Sequence, residues 1–359
     1  MSYYSPSRTY GRFSPIYHTP VTPPTPPAEY VPFTVKVMNA GTGVGITAKG
    51  SPSPVTLYYS VDGGDWTSYT IGDWIYPNDH VAFSGTTETF SSNGNTYRLS
   101  VSDDYIVSGH LNSLINKIED VPSYGFWSFF QYNTDDNTAN PYLLDASNLI
   151  LPSGTTNTRA YEKMFYRCTN LTGGPDLPAT SFIDGEYYRN MFAECHSLVH
   201  AGFISAKRIV WASCQYMFYN CSSLVIPPVF NPDFIESYGM EYMFYGCSAL
   251  TSIPVGFSPK SVNLQGMKAA FKKTGIHELN IQWDQLSAVD GQYACQQVFA
   301  NCNSLSSVSG SIGTVDMTFN GSNAFQELFY QCYNLLDASN FTMNPMNIGY
   351  DYSYTRLFR

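Results

Sequence analysis

Charge is scarce in this chain: 13% of its 359 residues are Asp, Glu, Lys or Arg, against about 25% in ordinary soluble domains. Basic residues are the scarcest, 18 against 28 acids for a net charge of −10, so there is too little positive surface to cover the phosphates of a nucleic acid. No apolar run approaches the about 18 residues of a transmembrane helix, and the stretch Phe126-Trp127-Ser128-Phe129-Phe130 is far too short. The start, Met1-Ser2-Tyr3-Tyr4-Ser5-Pro6-Ser7-Arg8, lacks the apolar core of a secretory signal, and the first cysteine is Cys168. Neither Sec export nor an early lipid anchor is expected. No Cys-x-x-Cys pair, Gly-x-Ser-x-Gly elbow, phosphate loop or dinucleotide fingerprint occurs. The expectation is a protein that is not an enzyme, with no catalytic, cofactor-binding or metal-binding residue.

Aromatic residues are abundant instead, at 16% with 29 tyrosines, so solubility rests on Tyr, Ser, Thr, Asn and Gly. Three regions differ in texture. Residues 1–29 carry Tyr3, Tyr4, Arg8, Tyr10, Arg12, Phe13 and Tyr17, then the spacer Thr19-Pro20-Val21-Thr22-Pro23-Pro24-Thr25-Pro26-Pro27. In the polyproline II conformation that spacer spans roughly 28 Å. An extended docking arm, anchored through its aromatics and arginines, is expected. Residues 30–108 alternate β-branched and aromatic runs with turn dipeptides. Thr34-Val35-Lys36-Val37, Val55 to Val61, His80-Val81-Ala82-Phe83 and Thr96 to Val101 read as strands, with hairpin turns at Asp62-Gly63 and Asn93-Gly94. This pattern predicts a small all-β sandwich.

From residue 109 onward the sequence repeats, with a degenerate cap over 109–157 and regular units from 158. Phe165, Phe192, Phe218, Phe244, Phe271, Phe299 and Phe329 recur every 26–30 residues. Three positions after them stand Cys168, Cys195, Cys221, Cys247, Thr274, Cys302 and Cys332, and six positions after them a Leu in all but the fifth unit. Apolar residues at −4, −1, 0 and +3 match the i, i+3, i+4, i+7 stripe of a two-turn helix. The expected fold class is therefore α+β: arm, sandwich, then a leucine-rich-repeat-like solenoid with one short helix and one extended segment per repeat. Each unit is too thin to bury its own apolar face, so stacking must make the core. The cysteines fill core sites, two of them (Cys214 and Cys295) at −4, and are expected to be reduced. The final Tyr354-Thr355-Arg356-Leu357-Phe358 repeats the −4, −1 and 0 residues, either as a cap or because the natural chain continues.

The strings Tyr161-Glu162-Lys163-Met164-Phe165-Tyr166-Arg167-Cys168-Thr169-Asn170-Leu171 and Cys214-Gln215-Tyr216-Met217-Phe218-Tyr219-Asn220-Cys221-Ser222-Ser223-Leu224 resemble BspA-like leucine-rich repeats. So does Glu241-Tyr242-Met243-Phe244-Tyr245-Gly246-Cys247-Ser248-Ala249-Leu250. The resemblance covers about residues 109–359, and the fifth unit, Phe271-Lys272-Lys273-Thr274-Gly275-Ile276, departs from it. It implies a binding or display scaffold of the kind abundant on Bacteroidetes surfaces and in viruses that infect them. The expected role is a virion structural and display protein (head, collar or tail decoration or fibre) of a phage of gut Bacteroidales. Its partners would be other virion proteins through the arm and a host-surface glycan or protein, with a homo-oligomer open. The alternative is a bacterial cell-surface adhesin. A third class, an accessory region of a carbohydrate-active enzyme, requires a catalytic module outside this sequence.

Several side chains remain as site candidates. Tyr187, Trp211 and Trp283 fall outside the stripe, and their rings either stack on a ligand or pack between neighbouring turns. Tyr166, Tyr219, Tyr245 and Tyr330, just after the ring phenylalanines, adjoin the stripe as a roof over the core. Glu194, His196 and His200 have metal-like spacing but straddle the turn marked by Leu198. Asp103-Asp104 and Asp135-Asp136 read as solvated loops rather than paired catalytic acids, and Asp62-Gly63-Gly64-Asp65 as a hairpin rather than a calcium loop.

Overall fold

The computed structural model describes residues 31–88, 90, 95–116, 120–132, 138–182, 184–314, 316–344 and 354–358. The docking-arm residues Tyr3, Tyr4, Arg8, Tyr10, Arg12, Phe13 and Tyr17, the Asn93-Gly94 turn and Asp135-Asp136 lie outside the described residues. Strands β1 (Phe33–Val37), β2 (Val44–Lys49), β3 (Leu57–Val61), β4 (Thr67–Tyr69), β5 (His80–Gly85), β6 (Thr96–Val101), β7 (Tyr105–His110) and β8 (Leu143–Ile150) open the fold. Six form one sheet in the order β4-β3-β5-β1-β7-β8, while β2 and β6 pair separately. In β1 the period-two pattern buries Phe33, Val35 and Val37 and leaves Lys36 outside. Asp62 and Gly63, with φ of 48° and 77°, make the β3–β4 turn, which needs positive φ at both positions. The Tyr69 hydroxyl ties the two sheets together, accepting the Ile46 N–H and donating to the Asp73 carbonyl, both at 2.7 Å. β7 runs through the expected boundary at residue 108 and pairs in parallel with β8, so the sheet continues into the repeat region.

The repeats are not built as expected. Among the described residues the helical content is one 3-10 turn, Leu111–Leu114, and the repeat region is a β-solenoid rather than stacked helix-plus-strand units. The backbone hydrogen bonds show why. Tyr161, Lys163, Phe165 and Arg167 donate their N–H groups to Tyr187, Arg189, Met191 and Ala193 of the next coil at 2.9–3.0 Å. The alternate N–H groups of Met164, Tyr166 and Cys168 close tight turns onto Tyr161, Lys163 and Phe165 at 3.0–3.1 Å. An α-helix would spend these donors on its own i−4 carbonyls and leave none for a neighbour. Every fourth residue of this turn ribbon has positive φ: Arg159, Lys163 and Arg167 in one coil, Glu186, Asn190 and Glu194 in the next, through to Asn323, Glu327 and Gln331. That is the third residue of every second turn, where a type II turn requires it. A period of four turns −4, −1, 0 and +3 inward just as a helix does.

Short parallel strands lead into the ribbons: β9 (Thr155–Thr156), β10 (Ser181–Phe182), β11 (Arg208–Ile209), β12 (Phe234–Ile235) and β13 (Ser261–Val262). The longer later units add β14 (Glu278–Trp283), β15 (Ala288–Val289), β16 (Ser307–Ile312), β17 (Thr318–Phe319) and β18 (Asp337–Met343). β11-β12-β13-β15-β17 and β14-β16-β18 each form a sheet. Inside, the phenyl rings of Phe130, Phe165, Phe192, Phe218, Phe244, Phe271, Phe299, Phe329 and Phe358 stack one on the next at 4.8–5.7 Å. Phe130 thus begins the column and Phe358 continues it. The cysteines are all buried and unbridged. Their thiols do more than fill space: Cys195, Cys221, Cys247, Cys302 and Cys332 donate to the carbonyl of the ring phenylalanine one coil back, at 3.0–3.2 Å. In the departing fifth unit Thr274 donates to Phe271 of its own coil instead.

Candidate functional site

The outer side of the turn ribbons gathers side chains in register. Consecutive coils lie about 5 Å apart, so equivalent positions become columns of touching residues. Tyr216 and Tyr242 stack at 5.2 Å and 1°, Tyr219 and Tyr245 at 5.0 Å and 6°. Each column meets the other edge to face, Tyr216 on Tyr219 at 5.6 Å and Tyr242 on Tyr245 at 5.7 Å. Cations frame the cluster: Lys273 lies 5.1 Å above the Tyr245 ring, Lys268 is 5.9 Å from Tyr242, and Lys163 and Arg167 are each 5.7 Å from Tyr166. Burial, with Glu241 alongside, raises the phenols of Tyr216 and Tyr242 above their ordinary value, and burial beside Tyr245 does so for Tyr219. They remain protonated donors at neutral pH.

Polar side chains run in ladders over the same ribbons. Asn220 donates to Glu194 at 3.0 Å, Gln215 to Glu241 at 2.6 Å and Asn301 to Gln331 at 2.7 Å. The almost fully buried Glu186 carboxylate binds Arg159 at 2.5 Å and also Arg189. A shallow hollow of about 350 Å³ opens beside Tyr166, Tyr216 and Tyr219. A second, of about 610 Å³, lies over β14 and β16 and is walled by Ser258, Asn280, Gln282, Asp284 and Ser311.

No family model, curated protein or solved structure matches this chain.

The three rings singled out in sequence are separated by the fold. Trp283 is fully buried in β14 between Phe257 and Phe299, each 6.0 Å away. Tyr187 is 1% exposed, packs 4.7 Å from Phe182 and gives its hydroxyl proton to the Asp184 carbonyl. Neither reaches a ligand surface, because the strand or turn carrying each points it into the core. Trp211 alone is exposed, at 49%. The core residues Phe165, Cys168, Phe192, Cys195, Phe218, Cys221, Phe244, Cys247, Phe299, Cys302, Phe329 and Cys332 all lie inside. The tyrosines read as a roof, Tyr166, Tyr219, Tyr245 and Tyr330, are half-buried on the ribbon face. Tyr216, Tyr242, Lys163 and Arg189 carried no sequence signal, since only the four-residue ribbon period places them beside those tyrosines.

The remaining candidates are occupied locally. His196 meets Glu194 at 3.3 Å and Asn220 O at 3.1 Å, while His200 pairs by backbone with Gly173 and Ile226. Among the described residues no group of three or more His, Cys, Asp or Glu side chains is placed to hold a metal. Asp103 accepts from Asn39 at 2.9 Å. Desolvation pushes the Asp62 carboxyl up, but the N–H groups of His80, Asp79 and Asn78 outweigh it and hold it below the usual range.

Proposed function

We propose that the chain is a non-enzymatic display and adhesion protein whose turn-ribbon face recognises a host-surface glycan. The observation that carries this reading is the Tyr216, Tyr219, Tyr242 and Tyr245 cluster with Lys268 and Lys273 over its rings. Half-buried aromatic rings with polar tips suit the apolar faces and hydroxyls of sugars. A rigid column of such rings, repeated on many copies, makes weak contacts cumulative. The proposed setting is the surface of a phage virion infecting gut Bacteroidales, with residues 1–29 docking onto other virion proteins. Support for that setting is the resemblance of the Met-Phe-x-x-Cys-x-x-Leu motif to BspA-like repeats and the aromatic, arginine-bearing composition of the arm.

Mass spectrometry of purified particles tests the setting, and bead retention tests the face. The chain is expected in particles, and beads carrying it are expected to stay on host cells and mucin, with retention falling for a folded Tyr219→Ala, Tyr245→Ala double variant. Recovery with the bacterial surface fraction and not with particles would favour the cell-surface adhesin. Unchanged retention of the double variant would remove the tyrosine face from recognition.

A further inference from the structure

Exposed aromatic side chains are scattered among the described residues, except for one pair on the β-sandwich. Trp74 is 46% exposed and Tyr76 65%, two positions apart in the segment Ile71-Gly72-Asp73-Trp74-Ile75-Tyr76-Pro77. Ile75 between them is buried and exchanges both backbone hydrogen bonds with Val44, at 2.9 Å and 2.8 Å. Successive side chains of an extended segment point to opposite faces, so burying Ile75 turns Trp74 and Tyr76 outward together. The start of the segment is held as well: Gly72 donates to the Ile46 carbonyl at 2.9 Å, and the Asp73 carbonyl accepts the Tyr69 hydroxyl at 2.7 Å.

Gly43, just before β2, lies beneath the pair. A Cβ added there would stand 2.7 Å from Cε3 of Trp74 and 3.2 Å from Cε1 of Tyr76. Both rings therefore reach over one glycine, supported by backbone on one side and open to solvent on the other. Among the described residues neither the indole N–H of Trp74 nor the hydroxyl of Tyr76 has a hydrogen-bond partner. Their polar tips are free.

The surroundings select the ligand. Ser102 bonds Gly43 in both directions, its Oγ accepting at 2.8 Å and its N–H donating at 3.0 Å. Residues 38–48, 70–78 and 99–109, which carry Gly43, the aromatic pair and Ser102, contain Asp73, Asp103 and Asp104 and no Lys or Arg. Such a border repels phosphate, sulfate and carboxylate, which sets aside nucleotides and acidic sugars. Two rings also offer far less than the about 800 Å² per partner of a stable protein interface. A neutral pyranose suits the pair, because its C–H face lies on an aromatic face while its hydroxyls reach a free N–H or O–H. Positions two apart on an extended segment are about 7 Å apart, which leaves room for one sugar ring on each.

From this geometry we infer that Trp74 and Tyr76 form a platform for a neutral saccharide of at least two linked pyranoses, one stacked on each ring, with Trp74 Nε1 and the Tyr76 hydroxyl bonding sugar oxygens. The site lies on the β-sandwich rather than on the turn ribbons, and it does not depend on the recognition role proposed for them.

The test titrates the full chain with cellotetraose, mannotetraose, maltotetraose and trigalacturonate, read by saturation-transfer NMR. At least one neutral tetrasaccharide is expected to bind with a Kd on the order of 1 mM, and the one that binds names the linkage. Trigalacturonate is expected to bind about tenfold more weakly or not at all. Trp74→Ala should weaken neutral binding about tenfold, and Tyr76→Ala by about threefold or more. Gly43→Ala keeps both rings but sets a methyl group against Trp74. It is expected to weaken binding by about threefold without lowering the melting temperature, because only the ring has to move. The Tyr219→Ala, Tyr245→Ala double variant of the ribbon face is expected to bind the tetrasaccharide like the wild type. Wild-type affinity in folded Trp74→Ala overturns the platform, as does equal or tighter binding of trigalacturonate. Loss of binding in the ribbon variant with none in Trp74→Ala assigns the sugar to the ribbon and overturns the platform as well. Binding of no neutral tetrasaccharide overturns it too, and leaves the two rings to a protein partner.

Discussion

The ring of Phe192 lies 5.3 Å from that of Phe218 with 1° between their planes. Such parallelism across a break of 26 residues requires that the two coils repeat each other's backbone closely, which the N–H of Phe192 ensures by bonding the Met217 carbonyl at 2.9 Å. Stacking of rings and pairing of backbones are thus one structural event, repeated from coil to coil.

Phe218 is fully buried with a ring on either face. Phe218→Ala is expected to cost about 3–5 kcal/mol, and to loosen both adjoining coils. Phe358, 47% exposed with one ring neighbour in the column, should lose only about 1 kcal/mol on the same change. Denaturant melts of the two variants check the contrast, and equal losses would mean that the column is not the core of the array.

Left-handed backbone at a non-glycine residue costs about 1 kcal/mol or more. Lys273, exposed and with φ of 61°, is such a position. Lys273→Gly is expected to be neutral or stabilising by up to about 1 kcal/mol, whereas Lys273→Val should destabilise by about 1–2 kcal/mol because a β-branched side chain tolerates positive φ worst. A helix would give the opposite result for glycine, which it disfavours by about 1 kcal/mol. Thermal melts of these two variants therefore discriminate the ribbon from a helix.

Burial pushes the thiol of Cys214 up to about 12 and those of Cys195, Cys221 and Cys247 upward as well. In the folded protein these thiols should resist maleimide at pH 7–8, and all eight cysteines should label once it is denatured without reductant. Cys221 donates to Phe192 O, so Cys221→Ser keeps a donor and is expected to cost less than Cys221→Ala, the latter about 1–2 kcal/mol. Bridged pairs in peptide maps would contradict this account.

Glu162 is a carboxylate in the wrong place. Burial raises its pKa above the ordinary value and Arg159, 3.6 Å away, only partly offsets this, while Oε2 has no hydrogen-bond partner. A group whose folded pKa is raised favours folding below its unfolded pKa, near 4.5, and loses that contribution as pH rises through the folded value. Glu162→Gln is therefore expected to stabilise the protein by about 1 kcal/mol at pH 7, with the gain vanishing below pH of about 4.5. Melting curves across that range read the sign directly.

Much was legible in the chain before any coordinates. The period, the buried Phe and Cys columns, the strand character of residues 34–37, 57–61, 80–83 and 96–101 and the turn at Asp62-Gly63 follow from hydrophobic spacing and turn chemistry, which are local. The helix reading failed because −4, −1, 0 and +3 describe two different objects. A signal against it was present: none of the positive-φ positions at −6, −2 and +2 carries Val, Ile or Thr, and the +2 column includes Asn220, Gly246 and Asn301. β-branched residues are excluded there by the left-handed backbone, while asparagine and glycine accept it.

The site was less legible than the fold. Trp283 and Tyr187 looked available because sequence shows which residues leave a stripe, not which way a strand then turns them. Sequence alone thus determined the repeat, its core composition and the need to stack, since a single thin unit cannot bury its own apolar face. Tertiary structure decided between helix and ribbon, because the choice depends on whether a backbone N–H finds its acceptor within its own segment or on the next coil, and the next coil exists only once the chain has folded onto itself.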